Sequence, residues 1–183
     1  MKLVIISGRS GSGKSTALHV LEDLGFYCID NLPVSLLAAL NEMVEREELA
    51  NNQGIAVSID ARNVHSDLKR FPTILQELEQ AGLNCNIIYL DAASPTLVKR
   101  FSETRRKHPL TNHERGLKQA IDAEKTLLEP LAGLADLFID TSALSLHQLR
   151  DRIKARVATK SEEQLALQFT SFGFKHGVQV DAD

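Results

Sequence analysis

The chain has 183 residues, of which 43% are apolar and 25% charged, a balance that supports a packed core and excludes a disordered polyelectrolyte. Its 21 Lys and Arg against 24 Asp and Glu leave a net charge of −3, which argues against a protein that coats nucleic acid by charge alone. No apolar run approaches the roughly 20 residues of a bilayer span, and the run after Lys2 gives way to a glycine-rich loop at Ser7 instead of a leader and cleavage site, so the chain reads as cytoplasmic.

Five short apolar runs predict strands at Lys2–Ser7, Phe26–Asp30, Gly54–Asp60, Asn86–Asp91 and Asp136–Asp140. Their apolar residues are continuous rather than alternating, as in parallel strands covered on both faces. Helical periodicity fills the gaps. Lys14–Leu24 stops at Gly25, Val34–Leu49 repeats Leu36, Leu37, Leu40 and Val44, and Phe71, Ile74, Leu75 and Leu78 mark a third helix ending near Gly82. Pro95–Lys107 has Ser94 as N-cap, Leu117–Leu134 is bent or broken at Pro130, and Ser145–Ala158 is the sixth. Strand and helix in alternation predict an α/β fold with a parallel sheet, right-handed crossovers and helices on both faces. After Lys160 the pattern changes to alternation, with Leu165, Leu167 and Phe169 on one side. This segment is an extra edge strand or, as favoured here, the start of a C-terminal domain (161–183) that follows a nucleotide-binding domain (1–160) and is otherwise absent.

Gly8, Arg9, Ser10, Gly11, Ser12, Gly13, Lys14 and Ser15 satisfy GxxxxGK[ST], between an apolar strand and an amphipathic helix. Glycines let the backbone curl and aim successive N–H groups at a phosphate, and the helix N-terminus adds partial positive charge. Lys14 is expected to bridge the β- and γ-phosphates, and Ser15 to ligate Mg2+. A second magnesium partner must close a neighbouring strand, because strands lie about 4.8 Å apart. In P-loop kinases the third strand adjoins the first, which nominates Asp60, with Arg62 in reach of a phosphate. Asp91 is the runner-up, and it and Asp140 read equally well as caps of the next turn. Asp30 lies where small-molecule kinases often hold the acceptor, as a general base or as a magnesium-water or loop-fixing group.

Seven Lys or Arg fall between Lys99 and Lys118. Arg105 and Arg106 are placed to act as catalytic lid cations over a transferred phosphate; an anionic-polymer surface and a solvated helix face are the competing readings. Cys28 and Cys85 sit in apolar runs as structural thiols, and the six histidines form no cluster with metal-ligand spacing.

The segments GRSGSGKS (8–15), EDLGFYCIDNLP (22–33), SIDARN (58–63), ETRRKHPL (103–110), LLEPL (127–131) and FGFKHG (172–177) together resemble the RapZ (YvcJ) family of bacterial P-loop proteins. The resemblance implies a kinase-like three-layer fold with a five-stranded sheet of order 2-3-1-4-5. It implies ATP at Gly8–Ser15 and GTP at Asp60, Ala61, Arg62 and Asn63, with modest ATPase and GTPase activity. For the longer family chains it implies a regulatory small RNA and an endoribonuclease as partners, RNA binding mainly through the C-terminal domain, and control of glucosamine-6-phosphate synthesis. Two readings follow, a regulatory nucleotide-binding domain of an RNase adapter and a phosphotransferase for a small metabolite or nucleotide. A homo-oligomer is compatible with both.

Overall fold

A computed structural model describes residues 1–40, 52–63, 65–104, 107–113 and 115–159. Five parallel strands, β1 (Lys2–Gly8), β2 (Tyr27–Ile29), β3 (Ile55–Ile59), β4 (Asn84–Asp91) and β5 (Leu137–Asp140), form one sheet of order β2-β3-β1-β4-β5. The helices are α1 (Lys14–Asp23), α2 (His65–Gln80), α3 (Ser94–Thr104), α4 (Leu117–Leu127), α5 (Glu129–Ala132) and α6 (Leu146–Thr159), with a 3-10 turn at Val34–Leu36. All five expected strands are present, in the expected order.

Strand alternation divides the core in two. Leu3 and Ile5 join Ile55, Val57, Ile59, Ile87 and Tyr89 on the face covered by Leu68, Phe71, Ile74 and Leu78 of α2 and by Leu131 of α5. Val4 and Ile6 join Ala56, Ile88, Leu90 and Ile139 on the opposite face, beneath Leu18 and Leu21 of α1 and Leu149 and Ile153 of α6. A third cluster, Ala92, Leu97, Phe101 and Ile121, packs α3 against α4.

Several boundaries depart from expectation. The third helix begins at His65 and runs through Pro72; the proline looks like a first-turn residue, but Leu68 extends the buried stripe one turn earlier. The break expected near Pro130 in Leu117–Leu134 is present: α4 gives way at Leu128 (φ −92°, ψ 1°), and Pro130 sits in the first turn of the short α5. Ser94 does not spend its hydroxyl on a helix cap: it accepts from Arg9 Nη1 at 2.9 Å. Of the helix expected at Val34–Leu49, the described part holds the 3-10 turn, and 41–51 lie outside the described residues. The same holds for Arg105, Arg106 and the whole of 160–183.

The sheet sets where the phosphate-loop motif begins. Gly8 ends β1 opposite Leu90 with φ +140°, and a Cβ there would lie 1.9 Å from the Leu90 carbonyl oxygen. That neighbour is backbone of a central strand and cannot yield. Gly8→Ala should therefore cost more than about 3 kcal/mol in urea unfolding. Gly82→Ala, with φ +87° and nothing within 4 Å of the new Cβ, should cost only about 1 kcal/mol, from backbone strain alone.

Candidate phosphate-binding site

The loop leaves β1 at Gly8 and enters α1 at Lys14. Ser12 N–H donates to the Arg9 carbonyl at 3.0 Å, closing a turn whose third residue, Gly11, has φ +85°, the backbone that a type II turn requires there. Gly13 follows at φ +110°. This curl leaves the amides of Gly11, Gly13, Lys14 and Ser15 without protein acceptors among the described residues, as expected of donors at a helix start. They open on a cleft of about 890 Å³, lined by Ser10–Thr16 on the loop side.

Three sets of side chains hold the loop from behind. Arg9, 4% exposed, donates through Nε to Asp91 Oδ1 at 2.7 Å, through Nη1 to Ser94 Oγ and through Nη2 to the Ala92 carbonyl at 2.6 Å. Ser10 donates its N–H to Glu124 Oε2 at 2.8 Å and its hydroxyl to Oε1 at 2.7 Å, and His108 Nε2 lies 2.9 Å from Oε2. Arg100 donates to the Gly11 carbonyl at 2.9 Å and to the Thr141 carbonyl at 2.6 Å, while the Thr141 hydroxyl donates to the Ser12 carbonyl.

Lys14 donates to the Gly8 carbonyl at 2.7 Å. Burial lowers its ammonium pKa from the ordinary value; Glu124, Asp60 and Asp30 pull it back up, and Arg62 lowers it further. Glu124 is fully buried. Burial pushes its pKa up, but the hydrogen bond from His108, the charge of Lys14 and the two bonds from Ser10 together outweigh burial, so the carboxyl stays below its usual range.

The strand-end acids diverge. Asp91 is the partner of Arg9 and caps Ala92 N–H, so its role is to anchor the loop. Asp140 caps Ser142 through its N–H and hydroxyl. Asp60 lines the cleft and is 3% exposed. Its carboxylate accepts from Arg62 N at 2.9 Å, Nε at 3.1 Å and Nη2 at 3.0 Å, which fills three of its roughly four acceptor positions. Arg62 also lines the cleft. Ala61 is buried, and Asn63 turns its carbonyl to Val34 N–H at 2.7 Å. The four residues of 60–63 thus do not share one role: Asp60 and Arg62 line the cleft, Ala61 is buried, and Asn63 secures the neighbouring loop. Asp30 lines the cleft opposite the phosphate loop and accepts from Ser58 Oγ at 2.5 Å.

Lys107 and Pro109 bring the basic segment to the cleft rim. Leu144, Leu146 and Leu149 add an apolar part to the lining, and Leu149 lies against the loop at Gly13. Glu124, His108, Arg100 and Thr141 are functional residues that motif reasoning did not find. Glu124 carried a signal, since it occupies the buried stripe of α4 between Ile121 and Leu128, where an acid needs a partner. Cys28 and Cys85 behave as structural thiols, with burial pushing both up to about 11.

A glycine loop between a central strand and a helix, on a sheet of this order, defines a P-loop protein of kinase-like architecture. Solved structures share that fold. The YorR protein of Bacillus subtilis in complex with phosphorylated GDP has a TM-score of 0.55 at 19% identity, covering 86% of this chain and 96% of that one. Shikimate kinase from Acinetobacter baumannii in complex with shikimate has a TM-score of 0.53 at 15% identity, covering 87% and 95%. The particular family is narrower: residues 1–161 match the RapZ-like N-terminal domain, and the chain belongs to that family. A protein of Hahella chejuensis named nucleotide-binding protein is 59% identical over 183 residues, covering all of this chain and 64% of that protein. The chain therefore spans just under two thirds of the length of such curated relatives.

The depressed Glu124 carboxyl makes stability depend on acid. A folded-state value below the ordinary 4.5 contributes stability that is present above the unfolded value and is lost as pH falls through the folded one. The urea midpoint of the wild type should thus fall steeply below about pH 4.5. Glu124→Gln should start lower at neutral pH and show a shallower acid limb, which urea titrations at several pH values would check.

Proposed function

We propose that the chain is the nucleoside-triphosphate-binding domain of a regulatory RNase adapter. In this reading ATP sits on Gly8–Ser15 and GTP is read at Asp60–Asn63, with slow hydrolysis of either. The segment 161–183 begins a second domain. In the longer protein the bound nucleotide would modulate presentation of a regulatory small RNA to an endoribonuclease, and through it glucosamine-6-phosphate synthesis. Family membership supports the adapter role, and relatives named for nucleotide binding support the nucleotide.

One observation carries the nucleotide reading: the amides of Gly11, Gly13, Lys14 and Ser15, without protein acceptors among the described residues, belong to a loop that lines a cleft together with the half-buried Lys14 side chain. The residues present fit a triphosphate. Ser12 Oγ, inside the loop, is a buried polar atom with no hydrogen-bond partner among the described residues. Lys14 bonds a loop carbonyl, an interaction it can exchange for phosphate oxygens. Exposed Ser15 and the remaining acceptor position of Asp60 are the groups that would hold Mg2+, Asp60 through water. The ion, when bound, neutralises charge on the β- and γ-oxygens. Lys14 and the loop amides orient the phosphates, and Lys107, with Arg105 and Arg106 beside it in sequence, supplies cations at the rim. The apolar lining at Leu144, Leu146 and Leu149 suits a base.

A second reading has its own observation. The cleft continues past the phosphate loop to Asp30, which is exposed and hydrogen-bonded to Ser58 across from Lys14. That is room for a phosphoryl acceptor. Incubation with labelled ATP and a metabolite pool separates the two: rapid transfer to a small molecule favours a phosphotransferase, and slow release of phosphate alone favours the adapter domain.

Magnesium with ATP or GTP should raise the melting temperature. At a ligand concentration one hundred times Kd the stabilisation is about 2.7 kcal/mol. Lys14→Ala should remove the shift while leaving the ligand-free transition cooperative. No shift in the wild type with any triphosphate would end the nucleotide reading.

A further inference from the structure

We propose that Glu124 is the positioning residue of the phosphate loop, and that its hydrogen bond from His108 couples the loop to the basic segment beginning at Lys107, so that the two engage a polyphosphate as one unit. The inference rests on the nucleotide reading above and adds to it how the site is held and sensed.

Glu124 is out of place on three counts. It is fully buried on a stripe otherwise made of Ala120, Ile121 and Leu128. Its negative charge stands near Lys14, in the site where a polyphosphate would bring more negative charge. An apolar residue of similar volume would pack there without the cost of dehydrating an ion. What an apolar residue cannot do is fix Ser10. Both carboxylate oxygens are used on that one residue, one on its N–H and one on its hydroxyl. The Ser10 amide is thereby turned to the core and away from the cleft, and the free donors begin at Gly11.

His108 supplies the link. Leu110 N–H donates to Nδ1 at 3.1 Å, so Nδ1 carries a lone pair, and the ring proton is on Nε2, which donates to Glu124 Oε2 at 2.9 Å. The same histidine organises its own segment: its carbonyl accepts from Thr111 N–H at 3.1 Å and from the Thr111 hydroxyl at 2.7 Å. Its ring lies 5.1 Å from that of Phe101, the residue that a Cβ on Gly11 would touch at 3.5 Å. Lys107, adjacent in the chain, lines the cleft. A displacement of the rim segment therefore reaches Ser10 through two hydrogen bonds, His108 to Glu124 and Glu124 to Ser10.

Electrostatics and positioning predict opposite signs, which makes the proposal testable. The affinities of Mg·ATP and Mg·ADP are to be measured by calorimetry for the full chain and for Glu124→Gln, His108→Phe and His108→Gln. Loss of a hydrogen bond involving an ion corresponds to about tenfold. Glu124→Gln should weaken both nucleotides by about that factor. His108→Phe keeps the ring packing but has no donor, and should lower the ATP-to-ADP affinity ratio by several-fold. His108→Gln, whose amide can donate from the Nε2 position, should restore the ratio.

Equal or tighter ATP binding by Glu124→Gln would overturn positioning and leave only an opposing charge. Unchanged nucleotide affinities in His108→Phe, with a lower ligand-free melting temperature alone, would overturn the coupling and mark the pair as structural. If Glu124→Gln lacks a cooperative melting transition, Ser10→Ala, which removes the hydroxyl bond to Glu124, takes its place with the same expected sign. A wild type that binds neither nucleotide takes the functional reading and this inference down together; wild-type binding with unaffected variants removes only the inference.

Discussion

A loop that presents its amides to an anion cannot use those amides to hold itself together. This constraint shapes the rest of the molecule. Helices and strands are self-bonded, but residues 9–15 must keep several donors idle until a ligand arrives, and an idle donor contributes nothing to the loop's shape. The shape is imposed by side chains from elsewhere in the chain: Arg9 bound to Asp91 and Ala92, Ser10 to Glu124, and the Gly11 and Ser12 carbonyls to Arg100 and Thr141. Each is charged, or bonded to a charged group, and those of Arg9 and Ser10 are largely shielded from water, where such bonds are strongest and most costly to break.

The sheet makes that bracing possible. With β1 central between β3 and β4, the loop emerges over the carboxyl ends of all the strands, the usual ligand position in an open α/β sheet. Residues distant in sequence converge there: Asp91 from β4, Thr141 from just beyond β5, Asp60 from just beyond β3, and Glu124 from α4. The two core layers fix these ends relative to one another. The cleft is lined by the loop, by the apolar side chains of Leu144, Leu146 and Leu149, and by Asp30, Asp60 and Arg62.

Much of this was legible in the sequence. Continuous apolar runs located all five strands, because strands buried on both faces need them, and the glycine spacing located the loop. Four carboxylates at strand ends looked alike as letters, yet they have different fates. Asp91 was claimed by Arg9, a variable position of the motif whose partner depends on which strand lies alongside. Asp140 caps its own turn, Asp60 is clasped by Arg62 two residues on, and Asp30 bonds Ser58 across the sheet. Pairings between segments 80 or more residues apart are set by the fold and leave no local trace. The same reason hid the links of Arg100 and Thr141 to the loop, whereas His108 pairs with Glu124 only 16 residues on, across two elements with no shared local pattern. Glu124 is the exception: an acid on an apolar helical stripe announces a buried partner without naming it. The two prolines behave differently, Pro72 tolerated inside α2 and Pro130 opening α5 where a bend or break was expected, because buried stripes decide where a helix continues.

The most direct test of the account is an amide NMR titration of the chain with Mg·ATP. If the curl of residues 11–15 is a preformed anion cradle braced from behind, the N–H signals of Gly11, Gly13, Lys14 and Ser15 should shift strongly and saturably. The Ser10 N–H, already held by Glu124, should move least within the loop. Shifts confined to other parts of the chain, or Ser10 moving as much as its neighbours, would contradict it.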